Sequence, residues 1–165
     1  TWAAHPVWFV MLFLLIPVWE SFYFYWIHRL LHVPFLYRHV HALHHRNINV
    51  GPWSGLSMHP VEHVIYLGTV LIHWVVAAHP LHILFHMQYY TLSAVTTHTG
   101  FEGLMVRDVT RLLLGTFDHQ MHHRYFECNY GSLEIPWDKL FGSFHDGTAE
   151  ANEKIKARRK RLATQ

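Results

Sequence analysis

Residues 7–27 read VWFVMLFLLIPVWESFYFYWI, and the next five, 28–32, read HRLLH. As an α-helix the first stretch is about 31 Å long, enough to cross a hydrocarbon core of about 30 Å. Pro17 is expected to kink it. Glu20 is its single charge, and an ionisable residue at that depth is expected to have a task. Positions 20, 24 and 28 share a helix face, so Glu20 is expected to point where His28 points. This stretch sets the expectation for the whole chain: all-α, an integral-membrane helical protein carrying a histidine-rich head at one membrane face.

Composition agrees with that start. The chain has 165 residues, of which 51% are hydrophobic and only 15% charged, against roughly 25% charged in an ordinary soluble domain. Disorder is excluded because there is too much to bury. A disulfide scaffold is excluded because Cys128 is the single cysteine. Histidine is the anomaly, with 18 residues. So many imidazoles in apolar sequence are costly unless something binds them. The slight positive balance comes from a tail at 149–165 holding Lys154, Lys156, Arg158, Arg159, Lys160 and Arg161. It is therefore not a nucleic-acid surface, and a basic cluster beside membrane segments places the tail in the cytoplasm. The start at Thr1 has neither a basic leader nor a small-residue cleavage pattern, so no signal peptide is expected, and the chain reads as part of a longer polypeptide.

The whole of 1–165 reads as one unit. After the membrane helix at 7–27, residues 33–60 are broken by Pro34, Gly51, Pro52, Gly55 and Pro60 and form a histidine-rich connector. Two further apolar runs, 64–78 and 81–97, are separated by His79-Pro80 and predict a helical hairpin over 60–98. Each arm is about 22–26 Å, so it either crosses the membrane with help from its flanks or dips in and returns. Residues 104–115 (LMVRDVTRLLLG) read as a short amphipathic, interfacial helix. The head is expected from 28–58 and 100–148.

Three histidine clusters stand out: His28 and His32 in HRLLH, His41, His44 and His45 in HALHH, and His119, His122 and His123 in HQMHH. Spacings of three and four place imidazoles on one helix face a turn apart. Two on adjacent turns can hold one metal while the intervening one reaches a second. Eight imidazoles are too many for one ion and suit two, at about four each. Topology favours convergence, because the hairpin leaves from His59 and His63 and returns to His98, beside the exit of the first helix. His79, His82 and His86 lie at the other end of the hairpin, on one stripe. All-imidazole coordination suits Zn, Cu, Fe or Ni, and cysteine is absent from every cluster. Spacing alone leaves iron and zinc open. Glu62, Asp118 and Asp138 are candidates to orient imidazole N–H groups, with Glu62 and Asp118, like His59 and His63, also weighed as additional ligands. His5, His39, His73 and His145 are expected to be structural.

The boxes HRLLH, HALHH and HQMHH, in this order beside membrane helices, resemble those of the fatty acid hydroxylase/sterol desaturase superfamily of integral-membrane di-iron enzymes. The stretches YWIHRLLH, GPWSGLSMHPVEH and HHRYFECNYGSLEIPWDKLFGSFHDGT are similar to its bacterial sterol desaturase-type members, from about Tyr23 to Thr148. The resemblance implies two Fe ions held by His28, His32, His41, His44, His45, His119, His122 and His123, with His98 of THTG as a ninth ligand. Ala94 stands where some members have another histidine. The implied reaction is O2-dependent hydroxylation or desaturation of a C–H site in a sterol or fatty acyl chain, with no catalytic residue beyond the metal ligands. The boxes are shared by ether-lipid monooxygenases. A membrane metal-binding or transport protein without redox catalysis is the competing class. The chain has no dinucleotide fingerprint and no cysteine set for an iron–sulfur centre, so an external donor of cytochrome b5 or ferredoxin type is expected.

Overall fold

The computed structural model describes residues 4–106 and 109–163. Its first helix, α1, runs Pro6–Leu31 with Pro6 in the first turn, where a missing N–H costs nothing. It continues unbroken through Pro17 and reaches past the apolar stretch to carry His28 inside the helix and His32 at its C-cap. A short α2 (Pro34–His39) follows. The HALHH box then forms a 3-10 turn, His41–Arg46, rather than α-helix.

The hairpin begins with α3, Pro60–Leu67, and tightens into a 3-10 run, Gly68–Trp74. Helix α4, Pro80–Thr97, returns. The first arm therefore stops earlier than the apolar run that predicts it. Its irregular backbone frees carbonyls, and α1 satisfies them in antiparallel order. Tyr23 Oη donates to the Ile65 carbonyl at 2.7 Å, Trp19 Nε1 to Thr69 at 3.1 Å and Trp8 Nε1 to Ala77 at 2.9 Å. Helix α4 then runs parallel to α1. Phe13 meets Phe85 with ring centres 5.1 Å apart, and Phe24 meets Tyr90 at 6.3 Å. The C-terminal ends of α1 and α4 thus reach the same end of the molecule, bringing His28 and His98 together.

One expectation is overturned. Residues 104–115 do not form an interfacial helix; β1 (Gly103–Val106) and β2 (Val109–Leu113) pair antiparallel, with Leu104 opposite Leu112 and Val106 opposite Val109. Branched Val106, Val109 and Thr110 favour the pleated backbone, and over so short a run the helical and strand patterns of apolar residues overlap. The described fold is otherwise helical. Gly115 follows the hairpin with φ +72°, a conformation that favours glycine, and turns the chain into α5, Thr116–Tyr125, which carries HQMHH. Glu102 closes the joint by accepting the Phe117 N–H at 2.9 Å. Helices α6 (Trp137–Leu140) and α7 (Ala149–Ala163) complete the head.

The interior is unusual in chemistry. An apolar core of Tyr66, Tyr90 and Ala94, with Phe24, Leu56 and Met58 against it, sits next to a second core made of buried imidazoles. The outside is apolar where an aqueous protein would be polar. Val10, Leu14, Val64, Leu71, Trp74 and Leu84 are all at least half exposed. Among the described helices, α1 alone is long and apolar enough to cross a membrane.

Candidate metal centre

Nine histidines meet in two groups. His28, His32, His41, His45 and His122 form one, and His44, His98, His119 and His123 the other; within each group the candidate ligand nitrogens lie within 4.8 Å of one another. The division follows spacing. His41 and His45, at i and i+4, go to the first group while His44 goes to the second; His119 and His123 go to the second while His122 goes to the first. Each HxxHH box therefore contributes to both groups. The groups adjoin, with the His45 and His123 rings 4.6 Å apart.

Within the first group the Nε2 atoms of His45 and His41 are 3.0 Å apart, those of His45 and His32 3.2 Å, and His122 Nε2 lies 3.1 Å from both His32 and His45. In the second, His98 Nε2 is 2.9 Å from His119 Nε2 and 3.2 Å from His123 Nε2. What fills these contacts follows from the other ring nitrogens. His28 Nδ1 donates to the Tyr130 carbonyl at 2.7 Å, His122 Nδ1 to the Cys128 carbonyl at 2.6 Å and His98 Nδ1 to the Ala94 carbonyl at 2.6 Å. A carbonyl only accepts, so each of these rings carries its proton on Nδ1 and presents a bare lone pair from Nε2. Such a lone pair, about 3 Å from a neighbouring ring's Nε2, is met either by an N–H of that ring or by a cation held between the two. The donor set therefore fits metal ions, and all-nitrogen imidazole coordination suits iron as it does other first-row metals.

Electrostatics point the same way. Burial, reinforced by neighbouring imidazoles, holds His41, His45, His119, His122 and His123 well below the ordinary histidine range. Burial lowers His44 to about 3, with His98 adding to it, and His98 to about 4. The rings are neutral at physiological pH, the state a metal requires.

Supporting groups come from several elements. Glu62, in the first turn of α3, places Oε1 2.6 Å from His41 Nδ1, with both side chains almost wholly buried. This carboxylate–histidine pair is a recurrent orienting device behind metal ligands. Asp138 acts one step further out. Its Oδ1 accepts from Tyr130 N at 2.9 Å and from Ser143 Oγ at 2.6 Å, and its Oδ2 from Gly131 N at 2.7 Å. It thereby fixes the peptide whose carbonyl holds His28. Asn129, between the two carbonyls that orient His28 and His122, has φ +51° and is tied by its amide to both the N–H and the carbonyl of His145. Gly55 lets the connector approach α4; a Cβ there would sit 2.2 Å from the Ala94 oxygen that orients His98.

Three sequence candidates fall outside the groups. His59 caps α3 by accepting the Val61 N–H at 3.2 Å, and neither it nor His63 belongs to either group. Asp118 lies in the first turn of α5, where its backbone carbonyl accepts from Asn129 Nδ2 at 3.2 Å. His145 is structural, stacked on Tyr125 with ring centres 4.8 Å apart. At the far end of the hairpin, His82 Nε2 donates to the Phe9 carbonyl at 2.8 Å, and His86 Nδ1 sits 3.0 Å from His73 Nε2. These rings pin α4 to α1 and to the first arm. The carbonyls of Cys128, Tyr130 and Ala94, and Gly55, escape sequence reading. Backbone groups carry no residue signature, and the glycine is one of nine.

A helical protein with two adjoining all-imidazole groups has a histidine-box site of a kind able to hold metal ions. The profile of the fatty acid hydroxylase family matches residues 13–143, and the chain belongs to that family. It is 32% identical over 138 residues to a Delta(7)-sterol 5(6)-desaturase of Gibberella zeae, covering 82% of this chain and 42% of the relative. It is 34% identical over 122 residues to the lathosterol oxidase of Rattus norvegicus, covering 73% and 40%. A putative Delta(7)-sterol-C5(6)-desaturase of Arabidopsis thaliana is 30% identical over 138 residues, covering 79% and 47%. The chain thus spans less than half the length of these relatives. No solved structure matches it.

Proposed function

We propose that the chain forms the catalytic portion of a di-iron, O2-dependent membrane oxidoreductase that hydroxylates or desaturates a C–H site of a lipid, a sterol before a fatty acyl chain. The observation that carries the reading is the convergence of nine imidazoles in two adjoining groups, three of them turned by carbonyls to present Nε2 and one held by Glu62. One iron would be held by His28, His32, His41, His45 and His122, the other by His44, His98, His119 and His123. Iron so bound supplies the redox chemistry that oxidation of an unactivated C–H bond demands and that side-chain acid–base groups lack.

The remaining tasks belong to the chain. A narrow cavity touching His28, His41, His44, His98 and His119 continues between α1 and α4 along Phe24 and Ile27, an apolar path along which an entering lipid would be shielded from water and held against both groups. The ring protons on Nδ1 of His28, His98 and His122 stay engaged with carbonyls, which keeps the ligand tautomers fixed. The apolar exterior of α1 and the hairpin supports insertion of α1 into the bilayer. Helix α7, rich in Lys and Arg, supports a cytoplasmic site by the positive-inside rule. Electrons come from a separate donor of cytochrome b5 or ferredoxin type. The sterol preference rests on the relatives, whose names specify sterol substrates.

The test supplies iron-loaded protein in bilayers with a Δ7-sterol or a fatty acyl lipid, O2 and a reducing system, and identifies products by mass spectrometry. Oxidised lipid that requires both O2 and reductant is expected. Equal product under strict anaerobiosis, or bound metal with no product from any lipid, would return a metal-binding or transport role to the front.

A further inference from the structure

The cavity does not end at the imidazoles. It runs along α1 to Glu20, and Tyr90 of α4 also lines it. Between that end and the metal groups its walls include Phe24, Ile27, Met58 and Ala94. Glu20 is 2% exposed and Tyr90 1%. Glu20 Oε2 and Tyr90 Oη are each buried without a hydrogen-bond partner. Buried polar atoms are costly when left so, and two of them facing one cavity call for a partner from outside the chain. Glu20 and His28 are eight residues apart on one helix face, about 12 Å along the axis. The polar end therefore sits at a fixed distance from the metal groups, across an apolar stretch.

We propose that Glu20 and Tyr90 bind the hydroxyl group of the lipid substrate, anchoring it at the end of the cavity remote from the metals. An alcohol fits both orphaned atoms at once: its O–H donates to Glu20 Oε2 and its oxygen accepts from the Tyr90 hydroxyl. The pair thus selects a lipid alcohol over the same lipid without its hydroxyl. Their distance from His28 limits which carbons reach the metals. The inference rests on the lipid-oxidising reading above and narrows its substrate to a hydroxylated lipid.

The test is a binding measurement on purified protein in bilayers. A Δ7-sterol is compared with the same skeleton carrying hydrogen in place of the hydroxyl, and bound metal is counted in every sample. The native chain is expected to hold the hydroxylated sterol about tenfold or more tighter, the contribution of one to two well-formed hydrogen bonds. Glu20→Leu is expected to bring the ratio near one with its metal content unchanged. Tyr90→Phe reduces it part-way. Glu20→Gln, which still donates and accepts but carries no proton in turnover, keeps most of the preference. No preference in the native chain, as when a water molecule satisfies the pair, overturns the proposal. So does a preference surviving in a metal-replete Glu20→Leu protein, or a Glu20→Gln protein that loses turnover while Glu20→Leu leaves the binding ratio intact, since Glu20 would then be passing protons. A native chain that prefers the alcohol but oxidises neither lipid leaves the anchor standing and removes the oxidoreductase reading.

Discussion

Glu62→Gln is expected to weaken one imidazole group and spare the other without removing a ligand. The carboxylate contacts His41 alone among the nine, at 2.6 Å, with both side chains almost wholly buried. Beside a cation on the other nitrogen of the ring, the ionised carboxylate accepts a charge-assisted hydrogen bond, worth about 1.5–3 kcal/mol against about 0.5–1.5 for a neutral one. A glutamine that turns its oxygen to His41 places its NH2 where Oε2 now lies buried without a partner, adding an unsatisfied donor. Together these cost about 1.5–3 kcal/mol, or roughly a tenfold to hundredfold loss of affinity. The loss should fall on the group containing His41 and spare that of His44, His98, His119 and His123. The assay is iron titration against a competing chelator, with metal counted per chain. The native protein should retain two ions at a chelator strength where Glu62→Gln retains one. Unchanged affinity at both sites, or equal loss at both, would refute the claim that Glu62 acts through His41.

Other outcomes follow from the same geometry. His122→Ala and His119→Ala should each abolish lipid oxidation but release different ions, while His5→Ala stays near native; metal counting with product analysis checks all three. Gly55→Ala should disturb the second group without touching a ligand, because the new Cβ would lie 2.2 Å from the Ala94 oxygen and 2.9 Å from His98 Nδ1; a drop in metal content of that group, with the first retained, is the expected result. Metal-free protein should lose stability in acid. His98 is lowered to about 4 and His44 to about 3 by burial, so between their unfolded value near 6.5 and those values the unfolded chain binds protons that the folded chain refuses. Stability present above pH 6.5 is then lost at about 1.4 kcal/mol per pH unit for each such ring. Thermal unfolding at pH 7.5 and pH 5 reads this directly, and a flat profile would contradict it.

Much of this protein was fixed locally. A run of apolar residues ending in HRLLH specifies a long helix with ligands at its exit, because hydrophobicity and the 3.6-residue period are properties of the chain itself. The sharing of each HxxHH box between two groups also lies in the spacing, since neighbouring imidazoles diverge while those three or four apart differ by a turn. It survives even where HALHH winds as a 3-10 turn. The three boxes, in their order and spacing, carry the family likeness in the sequence itself. Tertiary structure decided the rest. Strand pairing claimed 103–113 because the alternative elements differ by little over so few residues, and packing of the head chose between them. Glu62 was one of several nearby acids and histidines, and its position against His41, unlike those of Asp118, His59 and His63, depends on how α3 leaves the connector. The carbonyls of Ala94, Cys128 and Tyr130, which set the tautomers of three ligands, belong to every residue type alike. A backbone oxygen acquires a role only when the chain folds it against a particular ring, and that no sequence displays.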